Sequence, residues 1–182
     1  MPAIGNESLM ETQKLALLCS RACPGSIIIQ TLDAVRALRQ SPWTVISGFQ
    51  SPVEQEALAM LLVAQRPVVI CPARTVCDMR VPPAWKDALA AGRMLISSPF
   101  ERTARRATAA FAEQRNRYVL SLADAVFIPH AAPGGNLERL CRDSLPPGKP
   151  LWTFPDPANS NLLGLGAQSV PEARVPDPNT RT

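Results

Sequence analysis

Phe111-Ala112-Glu113-Gln114-Arg115-Asn116-Arg117-Tyr118-Val119-Leu120-Ser121-Leu122-Ala123-Asp124-Ala125-Val126-Phe127-Ile128-Pro129 passes from a basic helical segment into an apolar strand, and the turn Ala132-Pro133-Gly134-Gly135-Asn136 follows. A helix that delivers arginines beside a buried strand, followed by a glycine pair where main-chain amides can approach a ligand, forms an anion-binding edge in an α/β sheet. The rest of the chain is read outward from this stretch.

The helical part is expected to start at 101 and run to 122, the longest helix, because it is rich in alanine. At 100° per residue, Arg102, Arg105, Arg106 and Arg117 share a sector of about 120°, with Ala104, Ala107, Phe111, Tyr118 and Leu122 opposite. Arg115 stands at the edge of the packing face, where a side chain can reach over the sheet. A solvated face accounts equally well for Arg102, Arg105 and Arg106.

Upstream, Leu15-Ala16-Leu17-Leu18-Cys19, Trp43-Thr44-Val45-Ile46, Val68-Val69-Ile70-Cys71 and Met94-Leu95-Ile96 are short apolar runs, as strands buried on both faces would be. Between them come helical patterns: Ile27, Ile28, Thr31, Leu32, Val35 and Leu38; then Leu58, Leu61 and Leu62 behind Pro52; then a shorter helix over 84–91. Downstream, a short helix over 137–143 precedes a sixth strand around Leu151-Trp152-Thr153. Strands alternating with helices at this spacing imply an α/β fold with a mostly parallel sheet covered on both sides. Residues 1–14 read as a loose N-terminal arm, 15–167 as the domain and 168–182 as a flexible tail.

The chain has 182 residues, 46% of them hydrophobic and 19% charged, which describes a globular domain rather than a disordered one. No apolar run is long enough for a membrane helix and no leader pattern opens the sequence, so a cytoplasmic protein is expected. Five cysteines without Cys-x-x-Cys spacing suggest neither a disulfide framework nor a zinc site. The single histidine, His130, reads as a loop residue near the site. Between 66 and 117, ten Lys or Arg face four acids, a surplus of six against a total of +4, so the remainder carries about −2. That regional excess favours a polyanionic or phosphate-bearing partner.

Ligands of open parallel sheets sit beyond the carboxyl ends of the strands. The residues there are Ser20-Arg21, Ser47-Gly48-Phe49, Ser97-Ser98 and Pro133-Gly134-Gly135-Asn136, with Arg115-Asn116-Arg117 arriving by helix. Hydroxyls, amides, glycines and guanidiniums suit holding phosphate; a Ser-His-Asp set, a carboxylate pair and a metal cluster are lacking. No Gly-x-Gly-x-x-Gly follows the first strand, so no dinucleotide cofactor is expected.

These residues resemble the DprA/Smf DNA-processing proteins, within the wider Rossmann-like group that includes the LOG phosphoribohydrolases. Leu15-Ala16-Leu17-Leu18-Cys19-Ser20-Arg21 is similar to the family's first strand and its Gly-Ser/Thr-Arg ending, and Val45-Ile46-Ser47-Gly48-Phe49 to its Val-Ser-Gly-Leu. Arg115-Asn116-Arg117 followed by Leu122-Ala123-Asp124-Ala125-Val126 looks like its Arg-Asn-Arg and Leu-Ser-Asp-Ala-Val. Gly134-Gly135-Asn136-Leu137 stands for Ser-Gly-Ser-Leu, and the match covers about 15–167. The sequence departs where Cys19 replaces a glycine, where Ser51-Pro52-Val53-Glu54 replaces Arg-Gly-Ile-Asp, and where an Ala/Arg-rich helix replaces a proline-rich segment. The expectation is a minimal member, without the added helical and winged-helix domains.

The resemblance implies a Rossmann-like three-layer sandwich that binds single-stranded DNA, assists a recombinase and forms homodimers. Its contacts would be Ser20, Arg21, Ser47, Gly48, Arg115, Asn116 and Arg117. Phe49 and Trp85 offer stacking surfaces, although core packing explains both. In the enzymatic alternative, Pro133-Gly134-Gly135 with Glu138 is similar to the Pro-Gly-Gly and acidic residue of the LOG nucleoside-monophosphate hydrolases, but Leu137-Glu138 takes the place of their Gly-Thr. A small-nucleotide sensor is the third reading.

Overall fold

The computed structural model describes residues 2–101, 104–170 and 174–176. Its centre is a run of six parallel strands: β2 (Lys14–Leu17), β3 (Thr44–Ser47), β4 (Val68–Ile70), β5 (Met94–Ser97), β6 (Ala125–Phe127) and β7 (Leu151–Thr153). Every residue of these strands is buried, which is why each reads as an unbroken apolar run rather than an alternating one.

The order across the described sheet is β1-β5-β4-β3-β2-β6-β7-β8, with β1 (Ala3–Gly5) antiparallel to β5 and β8 (Gln168–Ser169) parallel to β7. One face carries α1 (Gly25–Ala37), α2 (Pro52–Val63) and α3 (Lys86–Ala90), whose Ile27, Val35, Leu61 and Ala88 pack on Leu15, Val45, Val68 and Met94. On the other face α4 (Ala109–Leu122), α5 (Asn136–Ser144) and α6 (Ser160–Gly164) set Val119, Leu120, Leu140 and Leu162 against Ala16, Ile46 and Val126. The fold is therefore a Rossmann-like three-layer sandwich. After β2 the chain adds strands in one direction; after β5 it crosses back through α4 to place β6 on the other side of β2. That reversal opens a crevice between the carboxyl ends of β2 and β6.

Three expectations need correction. Residues 3–5 and 7–11, read as part of a loose arm, form β1 and a 3-10 turn; Ile4 pairs with Ile96 and Leu9 is buried. A three-residue edge strand is too short to leave a period in sequence, and its partner lies ninety residues away. Ser169 and Val170 are likewise not tail: β8 pairs with β7, Val170 is buried, and Trp43 Nε1 donates to the Pro176 carbonyl at 2.8 Å. Of 168–182, residues 171–173 and 177–182 lie outside the described residues. The long helix begins at Ala109 rather than 101, because the Thr108 hydroxyl caps it by accepting from the Phe111 amide at 3.1 Å. Arg105 and Arg106 therefore precede the helix and do not share a helical face with Arg117; Arg102 is not among the described residues. Between 84 and 91 a 3-10 turn, Pro83–Trp85, precedes the short α3.

Among the described residues no helix is long and apolar enough to cross a membrane. All five cysteines are free thiols, three of them buried.

Candidate nucleic-acid interface

The crevice is closed at its base by hydrogen bonds between its two loops. The Ser20 amide donates to the His130 carbonyl at 3.0 Å, and the Ser20 hydroxyl accepts from the Ala132 amide at 2.9 Å. Ser20 therefore ties the loop after β2 to the loop after β6. His130 is itself buried, with Nδ1 2.9 Å from Asn159 Oδ1, and Asn159 holds the Pro129 carbonyl at 2.7 Å. These contacts fix the turn that leads into Pro133-Gly134-Gly135.

Above this base lies a cavity of about 410 Å³ bounded by Ser20, Arg21, Glu54, Arg115, Asn116 and Asn136, with Gly135 and Leu137 completing the α5 side. Arg21 is exposed there. α5 starts at Asn136, and its N-cap, Gly135, supplies no side-chain acceptor. The amides of its first turn and the helix dipole face the same opening, an arrangement suited to an anion.

Arg115 is 3% exposed and lies over the ends of β3 and β4. Its Nη1 donates to the Cys71 carbonyl at 3.0 Å and its Nε to Asn116 Oδ1 at 2.7 Å. Gly48 makes room for it: a Cβ there would stand 1.3 Å from Arg115 Nη1 and 2.0 Å from Cζ. Burial pulls the guanidinium down from the ordinary arginine value, while the Glu54 carboxylate and Cys71 pull it back up. Burial likewise pushes the Cys71 thiol up to about 12.

Glu54, which the sequence marks as the end of the Ser51-Pro52-Val53-Glu54 departure, is buried in this site. Its Oε1 accepts from the Cys19 amide at 2.8 Å, and Oε2 accepts from the Gln50 amide at 2.8 Å and more weakly from Ser51. The Ser51 hydroxyl in turn accepts from the Glu54 amide at 3.3 Å, completing a capping box at the start of α2. The Ser-x-x-Glu spacing of Ser51-Pro52-Val53-Glu54 was the available signal. Its consequence is chemical: amides after β2 and β3 that could hold a phosphate already serve this carboxylate.

Glu138 does the same in the glycine turn. Its Oε2 accepts from the Gly134 amide at 2.8 Å and Asn161 Nδ2 at 2.7 Å, while Arg142 holds the other oxygen. The Asn161 bond, then the Gly134 amide and Arg142, hold its carboxyl below the usual carboxylate range. A group so engaged is a turn anchor, not a free acid or base.

Of the residues singled out from sequence, Ser20, Arg21, Arg115, Asn116, Gly135 and Asn136 border the crevice cavity. Gly134 is exposed beside it, its amide bound by Glu138. Ser47 is buried, its hydroxyl accepting from the Phe49 amide at 3.1 Å, and Gly48 is occupied by Arg115. Phe49, at a left-handed φ of 49°, is 5% exposed and belongs to the core. Arg117 leaves the crevice altogether: it bonds Ser144 at the end of α5 and pairs with Glu113 at 2.8 Å. Among the described residues no group of three or more His, Cys, Asp or Glu side chains could hold a metal ion.

The fold is shared with solved proteins. The DNA processing protein A of Streptococcus pneumoniae superposes with a TM-score of 0.75 at 19% identity, covering 92% of this chain and 62% of that one. The DNA processing protein A of Helicobacter pylori, whose single-stranded DNA binding mode is known, gives 0.74 at 23% identity, covering 94% and 81%. The molybdenum cofactor carrier protein of Chlamydomonas reinhardtii gives 0.53 at 12% identity, covering 85% and 87%. This chain thus spans 62% of the length of the pneumococcal protein. No curated protein matches its sequence. The model of the family described as DNA recombination-mediator protein A matches residues 2–168, nearly the whole of the sandwich, and the chain belongs to that family.

Proposed function

We propose that this chain binds the phosphate backbone of single-stranded DNA at the β2/β6 crevice and acts in DNA processing and recombination, in the cytoplasm, as a homodimer and beside a recombinase. One observation carries the reading: Arg21, Asn116, Arg115 and the uncapped first turn of α5 converge on one cavity. Cations and amides at a sheet's carboxyl edge grip phosphate without breaking a bond. The free thiols of all five cysteines suit a reducing compartment. Family membership and the binding mode of the Helicobacter pylori protein support DNA as the polyanion.

The test is a titration with a labelled oligonucleotide at several salt concentrations. Arg21→Ala should weaken binding and reduce the salt slope by about 0.7, the share of one phosphate contact on a single strand. Arg117→Ala, whose side chain is turned to Glu113 and Ser144, is the control and should change neither. Unchanged binding in Arg21→Ala overturns the reading; efficient competition by a free nucleoside monophosphate would instead identify a mononucleotide site.

A further inference from the structure

A second cavity, also of about 410 Å³, opens at the carboxyl ends of β3, β4 and β5, on the α2 side of the sheet. Its floor is apolar, formed by Leu58, Ile70, Ile96 and the half-buried Trp85, and its rim carries Arg74 and Arg80. The volume lies within the roughly 300–1,000 Å³ of small-molecule sites. Gln50 lines both this cavity and the crevice, so the two adjoin along the same edge of the sheet. With neighbouring strands about 4.8 Å apart, their centres are separated by on the order of 10 Å.

The loop that bears Arg74 is pinned in place. The Ser98 hydroxyl donates to the Arg74 carbonyl at 2.8 Å, and the Thr75 amide donates to the Ala104 carbonyl at 2.8 Å. An adjoining hollow of about 300 Å³ brings Arg105 beside Arg74, with Asp78 the one acid on its wall. Among the described residues, no carboxylate lies within ion-pair distance of Arg74, Arg80 or Arg105. The cationic surplus counted in the sequence thus gathers around this cavity more than in the crevice, where Glu54 faces Arg115. An aromatic wall flanked by unpaired guanidiniums is the combination that takes a base and its adjacent phosphates.

We propose that this cavity holds one unstacked base of the bound DNA strand against Trp85, while the strand's phosphates pass from the Arg21 crevice over Gln50 to Arg74, Arg80 and Arg105. The assignment rests on the single-stranded DNA reading. It gives Trp85 a part in recognition, and it places the track on loops rather than on α4.

The experiment compares a strand of about twelve thymidines with an abasic strand of equal length. Wild-type protein should bind the base-bearing strand about tenfold more tightly, and this ratio should fall toward one in Trp85→Ala, with abasic binding unchanged. Without any loss of packing, tryptophan emission of the wild type should change with the base-bearing strand alone. Trp43 and Trp152 are 3% and 6% exposed and paired edge to face, so the change should disappear in Trp85→Phe while affinity is kept. Equal binding of both strands, or an emission change that survives Trp85→Phe, overturns this proposal alone. Failure of the wild type to bind either strand at low salt overturns the DNA reading and this one with it.

Discussion

Replacing Gly48 by alanine puts the fit between β3 and α4 under test. Gly48 has no left-handed φ, so the backbone accepts alanine; the obstacle is the guanidinium, 1.3 Å from where the methyl would be built. Arg115 must withdraw, breaking its bond to the Cys71 carbonyl and separating from Glu54. A hydrogen bond to a charged group contributes about 1.5–3 kcal/mol, and alanine in place of glycine returns about 0.4–1 kcal/mol through the unfolded chain. The net loss is about 0.5–2.6 kcal/mol, or roughly 1–10 °C in Tm for a chain of this size. Denaturant unfolding of Gly48→Ala, Arg115→Ala and the double variant measures it directly. In the Arg115→Ala background Gly48→Ala should be neutral or stabilising, giving a coupling of about 1.5–3 kcal/mol. Additive costs in the cycle would show that the methyl meets something other than Arg115.

Glu54→Gln should lower stability by about 1–3 kcal/mol in the same assay, because an amide nitrogen would face main-chain donors at Cys19 or Gln50; a loss below about 0.5 kcal/mol would contradict the anchoring role. Glu138 is held below the ordinary carboxylate range in the folded chain, so the unfolded chain binds its proton first as pH falls. Its contribution is therefore complete above about pH 4.3 and is lost as pH drops through the lower folded value, a slope that Glu138→Gln should flatten in acid unfolding curves. A thiol reagent at pH 8 should modify the half-buried Cys23 and Cys77 in native protein, whereas the buried Cys19, Cys71 and Cys141 should react on unfolding; fast native labelling of Cys71, whose thiol is pushed up to about 12, would contradict its burial.

Much of the sandwich was written in the sequence because strands buried on both faces leave unbroken apolar runs, as Leu15-Ala16-Leu17 and Ala125-Val126-Phe127 do. Short or edge elements were not, since β1 and β8 draw their stability from β5 and β7 rather than from their own pattern. The site was partly legible for a related reason. Arg-Asn-Arg marks the helix that borders the crevice, but residues two apart on a helix point about 200° apart, so Arg115 and Arg117 cannot serve one cleft. The inward face of α4 is built on Arg115, Val119 and Leu120, and a charged residue in that stripe hides its own burial. What holds it, the Cys71 carbonyl after β4 and the Glu54 carboxylate at the start of α2, comes from distant parts of the chain and leaves no mark beside it in the sequence.

The two buried carboxylates decide where binding free energy can arise. Glu54 takes the amides of Cys19, Gln50 and Ser51, and Glu138 takes that of Gly134, so four donors near the crevice are already satisfied. Arg115 is desolvated and coupled to Glu54, so its charge is already partly balanced inside the protein and would displace few of the counterions condensed on a nucleic-acid strand. Arg21 and the loop arginines 74, 80 and 105 are exposed, and release of phosphate counterions falls to them. Arg115→Ala should accordingly weaken DNA binding through loss of local order, with the slope of log affinity against log salt unchanged. Arg21→Ala and Arg74→Ala should each lower that slope by about 0.7 with little change in Tm. Equal slope losses at Arg115 and Arg21 would mean that the guanidinium leaves Glu54 to meet the strand, and that the cleft rearranges when it binds.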